Sequence, residues 1–190
     1  MRTAIVSRAL DGFGPALTLT LAGLRWRLVI GDSRPRPLEA YAAGLYGATD
    51  VVSLAGDLAD DDYRERLVAA AGPCVDLVVN NALERLSDPP KGADGYPLDD
   101  LEDAYRDTVL APVALLRAVL PRLSDGASVI NVIPGGAHGD VRAAASAALD
   151  QLTEAIAIAN PQLHVRAVPA GSSNPAAAAL EELASTVRQL

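Results

Sequence analysis

Two glycines, Gly12 and Gly14, close the stretch Val6-Ser7-Arg8-Ala9-Leu10-Asp11-Gly12-Phe13-Gly14, which joins a short apolar run to a helical pattern. A glycine turn that opens a helix lets a pyrophosphate reach the free N–H groups at the positive end of the helix dipole. Asp32 follows Gly14 by 18 residues, close to where an acid that holds an adenosine ribose is expected. The pair of glycines is not decisive alone, because a tight strand-to-helix turn uses glycine whatever it binds. Two further loops carry polar residues after apolar runs: Asp57-Leu58 and Asn80-Asn81-Ala82. Farther on, His138 with Asp140 and Arg142 offers an acid/base or anion-binding group, although a surface histidine in a short loop is the simpler reading. His138 and His164 lack a cysteine or carboxylate cluster beside them, so no metal site is expected. Lys91 and Tyr96 fall in a loop rich in Pro, Gly and Asp and read as solvated.

These loops need a scaffold, and the pattern of apolar residues supplies one. Short β-rich runs at 3–6, 27–30, 51–54, 75–79, 128–132 and 164–168 alternate with helical patterns at 14–24, 38–46, 60–71, 98–123, 143–159 and 175–189. The run 75–79 is apolar apart from Asp76, as in a strand buried on both faces. The long stretch 98–123 is interrupted by Pro112 and closes near Pro121. Six strands alternating with six helices predict one doubly wound α/β domain over 1–190. Its parallel sheet is covered on both faces, and its ligands lie beyond the carboxyl ends of the strands.

Composition narrows the function. The chain has 190 residues, 50% hydrophobic and 21% charged, which suits a packed domain rather than disorder. Its net charge of −8 and pI near 4.7 argue against a nucleic-acid or anionic-membrane partner. The longest uncharged apolar stretch, 109–116, is far short of a membrane span, and the start of the chain does not read as a secretory leader. Cys74 is the single cysteine, which excludes a disulfide framework and suits a reducing cytoplasm. Lys91 is the single lysine, and the five tyrosines all precede residue 106.

The loops, taken in order, resemble those of the short-chain dehydrogenases/reductases. Ser7, Gly12 and Gly14 match positions of that family's TGxxxGxG turn, Asp57 its acid after the third strand, and Val79-Asn80-Asn81-Ala82 most of its NNAG motif. Ser128-Val129-Ile130-Asn131-Val132 is similar to its fifth strand, Ala147-Ala148-Leu149-Asp150-Gln151-Leu152-Thr153 to the next helix, and Val165-Arg166-Ala167-Val168-Pro169 to its sixth strand. The resemblance implies a Rossmann-like fold and a dinucleotide held by Ser7, Gly12, Gly14, Asp32, Asp57, Leu58, Asn80 and Ala82. Asp32 favours NAD over NADP, a preference that Arg34 and Arg36 weaken.

The departures weigh more. Arg8 replaces the first glycine of the turn, Asp11 stands where NADP-using relatives carry a basic residue, and Leu83 replaces the glycine of NNAG. The resemblance implies a catalytic Asn, Ser, Tyr and Lys at the positions of Thr108, Pro134, Arg142 and Ser146. No other register rescues them, since no tyrosine or lysine lies beyond residue 105. A phenol needs electrostatic help to act near neutral pH, and neither phenol nor ammonium is present there. The family's last strand and glycine-rich tail are also expected to be missing.

In that family the helices corresponding to 98–123 and 143–159 build the dimer interface, and here both are rich in apolar and small residues. The expectation is a catalytically silent homologue that forms a homo- or hetero-oligomer with an active relative. The alternatives are a non-redox enzyme of the old pocket using His138 and Asp140, a dinucleotide- or metabolite-binding module, and an oxidoreductase that borrows residues from a partner.

Overall fold

The computed structural model describes residues 1–81, 98–133 and 141–169. Ala82, Leu83, Lys91, Tyr96, Pro134, His138, Asp140 and the helix expected at 175–189 lie outside them, as does the side chain of Arg142. The elements run β1 (Thr3–Ser7), α1 (Gly14–Gly23), β2 (Arg27–Asp32), α2 (Pro35–Leu45), β3 (Val51–Ala55), α3 (Asp61–Ala71) and β4 (Val75–Asn80). From residue 98 onward come α4 (Leu98–Tyr105), a π turn (Arg106–Leu110), α5 (Ala111–Val119), a 3-10 turn (Leu120–Arg122), β5 (Leu123–Ile133), α6 (Val141–Ala159) and β6 (His164–Pro169).

All six strands are parallel, in the order β3-β2-β1-β4-β5-β6. The order reverses between β1 and β4, and the loops after those two strands flank the crevice there. Side chains alternate between two cores, as the two-residue period of a strand requires. Ala4, Val6, Leu28, Ile30, Leu77, Val79, Ile130 and Val132 pack with α1 and α2. Ile5, Val29, Val78, Val129 and Val165 face the other way, against Leu67 of α3 and Leu115 and Val119 of α5. Each such side chain contributes about 1.5–3 kcal/mol on burial, so strands apolar on both sides commit the sheet to a central place.

Proline fixes where three helices start: Pro15, Pro35 and Pro112 occupy first-turn positions in α1, α2 and α5, where no N–H is needed. The expected break at Pro112 is real but falls before it. The π turn Arg106–Leu110 ends with the Ala111 N–H bonded to the Arg106 carbonyl, widening the helix by a residue ahead of the proline. A second difference concerns β5, which begins at Leu123 rather than 128. Ser124-Asp125-Gly126 reads as loop, yet Leu123 pairs with Val75 across a register shift. There Ser124 Oγ donates to the Val75 carbonyl at 3.2 Å and to Asp76 Oδ1 at 2.9 Å, and Asp76 Oδ2 also accepts from the Thr3 N–H.

The end of α1 is a Schellman cap. The N–H of Trp26 bonds to the Leu21 carbonyl and that of Arg25 to the Ala22 carbonyl, while Trp26 and Leu21 share the first core. Arg25 thereby holds a left-handed backbone, φ 59°, that costs a side-chain-bearing residue energy. Arg25→Gly should stabilise the protein by about 0.5–1 kcal/mol, measured as a raised midpoint in urea; an unchanged or lower midpoint would contradict this account of the cap.

Candidate functional site

The carboxyl ends of β1, β2 and β4 meet at the reversal in strand order. Ser7 ends β1, is buried, and its Oγ donates to the Val79 carbonyl at 3.4 Å. In the loop that follows, Arg8 takes φ 50° and Gly12 φ 47°. Gly14 opens α1 so close to Ala9 that a Cβ would collide with the Ala9 carbonyl. Its glycine is therefore dictated by packing of the helix start, whatever the loop binds. The first residue after β1 is left-handed as well, and in this chain that residue is an arginine.

Asn81, just past β4, holds the loop in place. Its side-chain amide donates to the carbonyls of Arg8, at 2.9 Å, and of Asp11. Asn80 reaches the other way: its Nδ2 donates to Asn131 Oδ1 at 2.7 Å, and Asn131 Nδ2 donates to Thr153 Oγ1 at 2.8 Å. Thr153 in turn donates to the Leu149 carbonyl, so a buried chain of polar groups ties β4 to β5 and α6. Asn80 Oδ1 and Asn81 Oδ1 are buried and accept no hydrogen bond among the described residues.

The acid at the end of β2 is already engaged. Asp32, 3% exposed, accepts from Arg34 through Nε at 2.8 Å, Nη2 at 3.1 Å and the backbone N–H at 3.0 Å, and from the Leu10 N–H at 3.3 Å. The same Arg34 Nη2 lies 2.6 Å from Asp11 Oδ1. Burial by itself would raise the Asp32 pKa; the Arg34 hydrogen bonds and charge, with the Leu10 N–H, outweigh it and hold the carboxyl below its ordinary value. Arg8 Nη2 lies 3.6 Å from Asp107 Oδ2, so a second ion pair joins this loop to the π turn. Asp107 also pairs with Arg106, which pairs with Asp103.

The remaining expected residues have local duties. Asp57 Oδ1 accepts from the Ala59 N–H at 2.9 Å in a turn, and the Leu58 side chain is buried in the second core. Above that turn lies Tyr63, whose OH donates to the Leu54 carbonyl and whose ring leaves no room for a Cβ at Gly56. Burial pushes the Tyr63 phenol up, away from any acid/base role near neutral pH. Thr108, half-buried, is on the π turn and Ser146, buried, on α6, two elements joined where Ala104 and Val109 pack on Ala145 and Leu149. A hydroxyl at Ser146 cannot supply the ammonium that the resemblance implies there. His164 begins β6 at the opposite edge of the sheet.

A dinucleotide does not fit this edge as its side chains stand. An acid that holds a ribose must offer free oxygens to the hydroxyls, and both oxygens of Asp32 are taken from within the chain. Among the described residues no group of His, Cys, Asp and Glu could hold a metal ion, and no helix is long and apolar enough to cross a membrane.

Sequence reading found Gly12, Gly14, Asp32 and Asn80 and missed what binds them. Asn81, Asn131 and Thr153 stand within the matched segments, but their bonds, like the pair of Arg8 with Asp107, gave no local signal because they join residues distant in the chain.

Three variants test this geometry. Arg8→Gly should be more stable than Arg8→Ala by about 1 kcal/mol in denaturant titrations, because both lose the ion pair and only glycine relieves the left-handed backbone. Equal stabilities would refute the strain. Asp32 has a lowered pKa, so its contribution to stability is complete above the ordinary carboxylate range and fades as pH falls through the folded value. Asp32→Asn should cost about 1–3 kcal/mol at about pH 7 and progressively less below about pH 4, read from thermal melts. A gap independent of pH would show that the charge is immaterial.

The model of the short chain dehydrogenase family matches residues 2–182. A sulfoacetaldehyde reductase of Chromohalobacter salexigens is 32% identical over 133 residues, which cover 67% of this chain and 52% of that protein. The chain thus spans about half the length of that relative. A short-chain dehydrogenase/reductase of Brucella melitensis, titled a glucose/ribitol dehydrogenase, superposes with a TM-score of 0.77 at 22% identity, covering 88% of this chain and 74% of that one. Pseudomonas aeruginosa RhlG, solved with NADP, gives 0.77 at 23% identity over 88% of this chain and 71% of that one. At these identities the two structures speak for the fold alone. Matched by the family model along nearly its whole length, the chain belongs to the short-chain dehydrogenase family.

Proposed function

We propose that this chain is a catalytically silent member of the family, a non-catalytic subunit that associates with an active homologue through α4–α5 and α6. The observation that carries the reading is a contrast between its two surfaces. At the carboxyl edge the described groups are guanidinium–carboxylate pairs, with Thr108 and Ser146 at two catalytic positions and no tyrosine or lysine in the sequence beyond residue 105. None of these groups exchanges a proton readily near neutral pH. On the helices, by contrast, large apolar side chains are exposed: Leu98, Leu110, Leu120, Leu152 and Ile158 belong to the segment from α4 to the turn after α5, or to α6, and Leu19, Leu24 and Tyr46 are exposed elsewhere. Leu110 is 61% exposed and Ile158 76%, positions that a lone domain gains little by making apolar.

A second reading, a reductase, is favoured by the 32%-identical relative, a sulfoacetaldehyde reductase. It needs an acid/base group supplied from another chain. A non-redox enzyme would rest on His138, Asp140 and Arg142, whose side chains lie outside the described residues.

Light scattering after size exclusion, on the chain alone and co-expressed with an active homologue, separates these readings. The chain should appear in a dimer or larger assembly and oxidise no NAD(P)H alone. Replacing Leu110 and Ile158 by Asp should weaken association at least about tenfold, since burying one such side chain is worth about 1.5–3 kcal/mol. A monomer in both preparations would sink the proposal, and turnover by the purified chain would favour the reductase.

A further inference from the structure

The end of β2 holds three charges, and they do not cancel. Asp32 and Asp11 carry two negative charges and Arg34 one positive, and the guanidinium sits between the carboxylates with its Nε and Nη2 facing Asp32 and its Nη2 reaching Asp11. The partners differ in exposure: the Asp32 side chain is 2% exposed, that of Asp11 20% and that of Arg34 47%. Arg34 is thus the outermost, most exposed member of the group, and Asp32 its buried floor.

An acid at this place in a doubly wound sheet serves a dinucleotide by accepting hydrogen bonds from the adenosine ribose. A planar guanidinium presents a pair of donors to a carboxylate and competes directly for those oxygens. We infer that Arg34 is an internal occupant of the adenosine-ribose seat, and that a dinucleotide binds only to a form in which Arg34 has left Asp32. The loop beside it does not yield instead, because Asn81 holds the Arg8 and Asp11 carbonyls and Arg8 is drawn toward Asp107.

The charge balance also decides between cofactors. Arg34 would ordinarily welcome the 2′-phosphate of NADP, but its charge is already shared by two carboxylates, which leave the group net negative. Removing Arg34 therefore frees Asp32 for a ribose diol and leaves the site still more hostile to a 2′-phosphate. The inference is independent of the association proposed above, since a silent subunit could bind or refuse a dinucleotide.

Calorimetric titration of the whole chain with NADH and with NADPH tests it. The parent protein should show no binding to either below about 1 mM, and Arg34→Ala should bind NADH at least about tenfold more tightly than the parent, with no gain for NADPH. Melting curves verify that the variant is folded; if it is not, Arg34→Ser, which keeps a donor beside Asp32, carries the same test. Micromolar binding of either cofactor by the parent would overturn the inference. So would a folded Arg34 variant with no gain for NADH, or an equal gain for both cofactors.

Discussion

Two neighbouring asparagines at the end of β4 hold the centre of this molecule. Strand order reverses between β1 and β4, which pair in the sheet although they are distant in the chain, so no short connection ties the loops that follow them to each other. Asn81 fastens the loop after β1 through two carbonyls, and Asn80 fastens β5 and, through Asn131 and Thr153, helix α6. These bonds are buried, where a polar group left unpaired is costly, so they hold the crevice to one arrangement. Everything at the carboxyl edge is built on that fixed base.

What is built there is a set of internal ion pairs. Arg34 lies between Asp32 and Asp11, and Arg8 reaches Asp107. Exposed ion pairs contribute little, but Asp32 is buried, and a buried carboxylate without its partners would be a liability. The structure thus turns the acid that a dinucleotide-binding fold keeps for its ligand into part of the protein's own bonding. The family's architecture persists around these internal pairs.

Glycine and proline show the same division between scaffold and chemistry. Gly14 and Gly56 are set by the closeness of Ala9 and Tyr63, with no ligand required to explain them. Pro112 sits in the first turn of α5, and the π turn ahead of it carries Asp107, which meets Arg8 of the loop after β1. A glycine motif read as a phosphate site is, at Gly14, a packing requirement first.

The sequence by itself determined the layers. Apolar runs such as 75–79 are buried on both faces because a parallel sheet has no solvent side, and alternation with helical patterns leaves few ways to connect it. It also determined that no tyrosine or lysine of this chain lies beyond residue 105, which folding cannot change. Local pattern did not show the first residues of β5, because Ser124-Asp125-Gly126 lie in a register shift between the pairs Leu123–Val75 and Ser128–Leu77, with the Ser124 hydroxyl bonded to Val75 and Asp76. Nor did it show that Arg34 would lie between Asp32 and Asp11, or that Arg8 would meet Asp107. Periodicity records which face of an element is buried, whereas an ion pair depends on which loops the strand order brings together. That last decision belongs to the tertiary structure, and here it fills the seat that the sequence had seemed to leave open.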